Sequence, residues 1–336
     1  MNKLLFFSFL VAIVLPACNP AKSTAKYMAN DGAIYGTYYH VSYESPEGYD
    51  LHPKIDSVLH EMDLSLSTFK TESILSKVNT NQNVVLDNWF VNVFNEAQKV
   101  SELTAGAFDV TVAPLVNVWG FGFRKKELIT PELIDSIEDF VGYQKVKLVN
   151  GKIRKDDQRT MLDFSAIAKG YTVDVIGDLL ASEGCKNFMV EIGGEVVAHG
   201  VNKEGKIWRI GINEPNDNEP ASPIELQAII SLKNKAVATS GNYRNFYVEN
   251  GKKYAHTIDP HTGYPVDHSL LSATVIANDC MTADAFATAL MVLGVENAME
   301  LVQSLPDIEV YLIYADDEGV NQVKMSKGFS PFILTN

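Results

Sequence analysis

Asp163-Phe-Ser-Ala-Ile-Ala-Lys-Gly170 is the stretch on which the reading of this chain turns. Before it, Lys145-Val-Lys-Leu-Val149 and Met161-Leu162 read as strands; after it, Tyr171, Val175, Ile176, Leu179 and Leu180 recur at helical spacing. The octapeptide therefore spans the point where a strand gives way to a helix. At such a junction the unpaired N–H groups of the first helical turn carry partial positive charge and favour an anion. Ser165, Ala166, Ala168 and Gly170 are small enough to let a bulky ligand approach the backbone, and Asp163 and Lys169 add one charge of each sign. An ordinary turn with a solvated Lys169 explains the octapeptide alone equally well, so the remaining chain has to decide.

The composition is that of a globular protein, 46% apolar and 21% charged, and 336 residues allow one large domain or two modest ones. A formal charge of −14 argues against nucleic acid or an anionic membrane surface as partner. Lys3 followed by the apolar run Leu4 to Leu15, interrupted only by Ser8, is an export signal too short to span a bilayer in the usual way. Its end, Leu15-Pro-Ala-Cys18, has the form of a bacterial lipobox. The expectation is a signal peptide over residues 1–17, a lipid-carrying Cys18, a polar tether to residue 32 and one domain over 33–336. Such a protein is anchored in the bacterial cell envelope, on the extracytoplasmic side of the inner membrane. Cys185 and Cys280 remain after processing; pairing is chemically allowed in an exported protein, and burial as free thiols is equally consistent with their apolar surroundings.

Along the chain, Ala33 to Tyr43 reads as one strand with a glycine at a bulge or close approach. Ile55, Val58, Leu59 and Met62 mark a helix, and a polar loop follows with Phe69 as its one aromatic. A short helix begins near Ser73, and Phe90 to Val100 mark another that stops before Gly106. Gly106-Ala-Phe-Asp109 leaves room for a ligand beside Phe108 and Asp109. Asn187 to Ile192 is a buried strand ending in Gly193-Gly194, which permits positive φ or close contact. Neither a GxGxxG fingerprint nor a Walker A pattern is present, which excludes a nicotinamide-binding Rossmann unit and a P-loop. His256-Thr-Ile-Asp-Pro-His-Thr-Gly-Tyr-Pro265 is a structured turn in which His256 is a candidate for moving a proton. In Met281 to Gly294, Asp284 and Thr288 share one helical face opposite Phe286, Leu290 and Leu293. Those two oxygen-bearing side chains suit the sparse protein shell that Mg²⁺ accepts, although a close-packed alanine helix explains the segment too.

In order, Tyr35-Gly-Thr, Ser67-Thr-Phe, Gly106-Ala-Phe-Asp, Asp163-x-x-Ala-Ile-Ala-Lys-Gly170, Ile192-Gly-Gly194, His256-x-Ile-Asp-Pro and Thr282-Ala-Asp-x-x-Ala-Thr288 resemble the ApbE family of FAD:protein FMN transferases, bacterial flavin-trafficking lipoproteins. The resemblance implies an α+β fold of mixed, largely antiparallel sheets with helices, in two intertwined lobes that close over FAD. It places FAD contacts at Tyr35, Phe69, Ala107, Phe108, Asp109, Asp163, Lys169 and Ile258. It places Mg²⁺ on Asp284 and Thr288, with main-chain oxygens near Ala166 and Ala287. The chain departs from the family's habit in carrying Ser165 and Ala166 where glycines are common, Glu191 where Asn is common, and Tyr35 where Met is common.

The chemistry so implied is attack by a threonine or serine hydroxyl on the phosphorus that bears riboflavin, with AMP expelled. Mg²⁺, held in part by Asp284, neutralises the oxygens on which charge develops, Lys169 adds to that compensation, and His256 is the candidate base. By resemblance the acceptors are subunits of the sodium-translocating NADH:quinone reductase or the Rnf complex, or other exported flavoproteins. Water in place of the hydroxyl gives a Mg²⁺-dependent FAD pyrophosphatase, and a flavin-scavenging lipoprotein without turnover is a third reading. Nothing in the sequence offers chemistry on a thiazole or pyrimidine.

Overall fold

The computed structural model describes residues 24–122, 125–215, 225–243, 246–249 and 251–334. The expected signal peptide and Cys18 lie outside the described residues. In chain order the elements are β1 (Lys26–Ile34), β2 (Thr37–Ser45), α1 (His52–Leu66), α2 (Ile74–Asn79), α3 (Asn88–Leu103), α4 (Ala113–Val118), α5 (Pro131–Glu138), β3 (Val146–Val149) and β4 (Lys152–Lys155). They continue with α6 (Ala168–Ser182), β5 (Phe188–Ile192), β6 (Glu195–His199), β7 (Trp208–Asn213), β8 (Leu226–Leu232), β9 (Lys235–Gly241), β10 (Phe246–Glu249) and β11 (Lys252–Ala255). The last are β12 (Leu270–Ala277), α7 (Cys280–Gln303), β13 (Glu309–Ala315) and β14 (Asn321–Met325).

One eight-stranded sheet, ordered β1-β2-β5-β6-β9-β12-β13-β14, carries the fold, and β3-β4, β7-β8 and β10-β11 stand apart as hairpins. Every neighbouring pair is antiparallel, as the α+β reading anticipates. Side chains alternate across the sheet with period two. Ala273 and Val275 of β12, with Val310 and Leu312 of β13, face a core shared with α3 and α7. Ile276, Tyr311 and Ile313 face the other way, onto the β7-β8 hairpin and Phe329. The first half of the sheet packs Val41, Tyr43, Val190 and Ile192 against α1 and α6. A fourth cluster, built on α4 and α5 with Trp119 and Ile258, forms a smaller body beside the sheet.

Three expectations change. Ala33 to Tyr43 is a hairpin rather than one strand: Tyr35 (φ 52°) and Gly36 (φ 76°) form a two-residue turn with both φ positive, whose twist matches the flanking strands. The tyrosine tolerates that backbone because its hydroxyl donates to Leu59 O at 2.7 Å. The polar tether expected to run to residue 32 is shorter, since residues 26–32 already pair with β2 as an edge strand. The strand expected at Met161-Leu162 contributes a single bridge, Val112 to Met161. That segment is held extended by a side chain instead: Asn79 Nδ2 donates to Leu162 O at 2.8 Å and Leu162 N donates to Asn79 Oδ1 at 2.7 Å. Cys185 and Cys280 are both buried and free.

The helix into which the octapeptide runs starts at Ala168, within it, and α7 crosses that helix at Gly170. A Cβ placed on Gly170 would lie 2.3 Å from Cys280 O and 2.8 Å from the Asp284 Cβ. The glycine thus serves the approach of α7 rather than of a ligand. α7 is capped by the Asp279 carboxylate on Thr282 N at 2.8 Å and broken at Gly294, where φ is 72°. It is long and apolar enough to cross a membrane, yet more than half of its apolar window is buried between α6 and the sheet, as befits a core helix. Gly170→Ala should separate the helices and lower stability by about 1–3 kcal/mol, the usual range for overpacking. A melting temperature equal to that of the parent would contradict this contact.

Candidate active site

The ends of these elements enclose a cleft of about 950 Å³. The segment leading into α6 delivers Ala166 to it and α6 itself Lys169, α7 delivers Asp284 and Thr288, the turn between β5 and β6 delivers Gly193, and the start of β6 delivers Glu195. Tyr35 comes from the β1-β2 turn and Phe69 from the loop between α1 and α2. Ala107, Phe108 and Asp109 line the wall after α3, and His256 and Ile258 line the wall after β11. The sequence-predicted residues are thereby brought together from across the whole chain, with one exception. Ala287 is fully buried in the core beside Phe286 and Leu290 and forms no part of the cleft wall.

The floor is a charge cluster. Lys169 Nζ lies 2.7 Å from Glu195 Oε1 and 4.0 Å from Asp284 Oδ1. Asp284 Oδ2 accepts the Gly170 N–H at 3.0 Å. The Glu195 and Asp284 side chains are 5% and 4% exposed, so two carboxylates share one ammonium out of reach of bulk water. Burial works against the charge on Lys169, but Asp284 and Glu195 outweigh it and raise its pKa. Burial pushes the Glu195 carboxyl up, with Lys169 opposing and Asp284 adding to the rise. Glu195 Oε2 is buried without a hydrogen-bond partner, an arrangement that costs free energy unless something else completes it.

Thr288 Oγ1 lies 3.2 Å from Ser240 Oγ on β9, so a hydroxyl pair continues the carboxylate surface. This surplus of negative charge and hard oxygen is the donor chemistry that Mg²⁺ prefers. Among the described residues no three His, Cys, Asp or Glu side chains gather into a ready-made metal site. A cation here would complete its shell with water or phosphate oxygens, which suits Mg²⁺ and does not suit Zn²⁺. The residues present therefore fit the expected ion.

Several expected contacts also hold the site together. Asp109 Oδ1 accepts from Thr111 N at 2.7 Å and Thr111 Oγ1 at 2.6 Å, while Oδ2 accepts from Tyr143 N at 2.7 Å. Burial raises its pKa against those bonds. Asp163 Oδ1 accepts from Ser165 N at 2.9 Å and Ser165 Oγ at 2.6 Å, setting the turn that opens the octapeptide. Phe69 is 72% exposed at the mouth, an unusual cost for a phenylalanine in solution. His256 meets Phe121 edge to face, with ring centroids 6.4 Å apart. The turn that bears it is tied down by Trp119 Nε1 donating to Gly263 O at 2.8 Å and by His261 Nε2 against Ala105 O at 2.9 Å.

Glu195 was not expected at the site. Its one signal in the sequence is an acidic residue opening an otherwise apolar strand, Glu195-Val-Val-Ala198, directly after two glycines. Glu191, where the chain departs from the family's habit, turns out to cap that same turn by accepting from Gly194 N at 2.9 Å.

The sequence profile of the ApbE family matches residues 35–312. An FAD:protein FMN transferase of Haemophilus influenzae is 38% identical over 334 residues, covering 95% of each chain. One of Vibrio cholerae is 36% identical over 330 residues, covering 96% of each. The solved structure of the flavin transferase ApbE from Vibrio cholerae superposes with a TM-score of 0.82 at 36% identity, over 92% of this chain and 99% of that one.

Because the folded protein holds the Glu195 proton more tightly than the unfolded chain, whose value is 4.5, its contribution to stability is full below that pH. It is lost as pH rises through the raised folded value. Glu195→Gln cannot ionise, so its melting temperature should fall less steeply than the parent's between about pH 5 and 8. Parallel curves in thermal denaturation would contradict the assignment.

Proposed function

Since this chain belongs to the ApbE family and its cleft opposes Lys169 to the Asp284–Thr288 face, we propose that it is an enzyme that transfers the FMN moiety of FAD to a threonine or serine hydroxyl of an acceptor protein. The observation that carries this reading is the meeting of α6 and α7 across one cleft, a cation on one side and hard oxygens on the other.

The pyrophosphate of FAD, as substrate, sits between the start of α6 and the side of α7 that lines the cleft. Lys169, fixed beside the cleft before the substrate arrives, neutralises part of its charge at little cost of reorganisation. Phe108, Tyr35 and Phe69 offer ring faces and edges to the flavin end. Asp284, Thr288 and the main-chain oxygen of Ala166 would hold Mg²⁺. When bound, that ion supplies charge neutralisation at the phosphoryl oxygens and fixes them for in-line displacement. The acceptor oxygen forms a bond to the phosphorus that carries riboflavin, the bond from that phosphorus to the AMP oxygen breaks, and AMP leaves with the electron pair. His256 receives the proton of the attacking hydroxyl.

The exposed Phe69 at the cleft mouth supports entry of a protein segment there. The acceptors proposed are exported flavoproteins, among them subunits of the sodium-translocating NADH:quinone reductase or Rnf type. The run ending Leu15-Pro-Ala-Cys18 supports a lipid anchor at Cys18 and a place on the extracytoplasmic side of the inner membrane.

The test incubates the protein lacking residues 1–18 with FAD, Mg²⁺ and a purified acceptor subunit. Intact-mass spectrometry should show a gain on the acceptor equal to FMN less water, with AMP released in equal amount. Chelation of Mg²⁺, or Asp284→Ala, should abolish both. His256→Asn should lower kcat by about 10²–10⁴ while FAD still binds. FMN and AMP released with no label on the acceptor would make the protein a pyrophosphatase, and FAD recovered intact would make it a carrier.

A further inference from the structure

Asp174 lies on α6, one helical turn beyond Gly170, and does not line the cleft. Its Oδ1 accepts the Cys280 N–H at 2.8 Å, and its Oδ2 accepts the Met281 N–H at 2.8 Å. These are the first two amides of α7, groups that no helix can satisfy from within. The third, Thr282 N–H, goes to Asp279 of the same segment. α7 thus takes one cap from its own preceding residue and two bonds from a neighbouring helix.

We propose that Asp174 is a positioning residue, a two-oxygen pin that fixes the height and rotation of α7 on α6 and so sets Asp284 and Thr288 against Lys169. One bond would leave α7 free to turn about it; two bonds from one rigid carboxylate to successive amides do not. Cys280, Asp284 and Thr288 stand at i, i+4 and i+8, so the pin and the two functional oxygens share a single stripe of α7. On α6, Gly170 and Asp174 stand four apart and meet that stripe in reverse chain order, as antiparallel helices do. Asp174 holds Cys280 and Met281, and the Gly170 N–H holds Asp284 Oδ2 at 3.0 Å. A displacement at the first rung is transmitted to the second, because the Gly170 contact with Cys280 O and the Asp284 Cβ has no slack. Asp174 forms no ion pair with Lys or Arg among the described residues, and burial raises its pKa although both amides oppose the rise. A carboxylate kept under that penalty for two amide bonds is in keeping with a geometric duty.

The role in catalysis rests on the transferase reading, whereas the geometry does not, and the experiment separates them. Asp174→Ala, Asp174→Asn and a core control in β13 chosen to match the loss in melting temperature, Val310→Ala, are compared with the parent. Hydrogen exchange of the peptide containing Gly170, measured without metal or substrate, reads the second rung directly. It should lose about tenfold protection in Asp174→Ala, part of that in Asp174→Asn, which keeps one acceptor, and none beyond global destabilisation in Val310→Ala. The Mg²⁺ concentration that half-saturates FAD binding, followed by flavin fluorescence, should rise by about 10-fold or more in the same order. Equal protection at Gly170 in Asp174→Ala and Val310→Ala would overturn the proposal. So would an Mg²⁺ requirement unchanged from the parent's in Asp174→Ala. A parent that binds FAD without regard to Mg²⁺ would sink the transferase reading instead, and the exchange data would still decide the pin.

Discussion

The contact between α6 and α7 at Gly170 is the constraint on which the rest depends. Gly170 and Asp284 lie 114 positions apart in the chain, and the two helix backbones approach closely only because residue 170 has no side chain. That approach lets a main-chain amide of one helix hold a carboxylate of the other, and it places an ammonium within 4.0 Å of the same carboxylate. The eight-stranded antiparallel sheet is the platform: β9 and β12 lie beneath α7, and β5 and β6 lie beneath α6. Each helix is positioned by its apolar face on the sheet and by polar bonds to the other.

Burying Glu195 and Asp284 beside a partly exposed Lys169 is expensive, since desolvation of ions competes with their attraction. The cluster carries more carboxylate than ammonium, and one buried oxygen of Glu195 has no partner. A fold optimised only for stability would fill this place with apolar side chains. A site that receives a dinucleotide and its counter-ion gains from such a surplus, because the missing positive charge arrives with the ligand and is held where little water competes.

The sequence made much of this legible where chemistry and period coincide. Asp284 and Thr288 four apart on a helix, and Lys169 at the start of another, read correctly because helical spacing fixes which face a residue occupies. The α+β class followed from the family resemblance, with strands and helices alternating along the chain in no regular βαβ repeat. Other features depended on distant partners. Gly170 read as room for a ligand, since only the fold shows α7 passing there. Leu162 read as strand because a side chain, Asn79, imitates a ladder that no neighbouring strand supplies. Tyr35 hid a hairpin, as positive φ at a tyrosine is rare enough that no local rule expects it. Glu195 escaped notice because a single acid beside two glycines has no period.

The most direct test of the account is crystallography of the protein soaked with Mn²⁺ and FAD, using the anomalous signal of the metal to locate it without reference to any expectation. The account predicts a peak bonded to the Asp284 carboxylate and Thr288 Oγ1, with the pyrophosphate of FAD between the metal and Lys169. A flavin bound in the cleft with its pyrophosphate away from both helices, or a metal peak remote from Asp284, would contradict it.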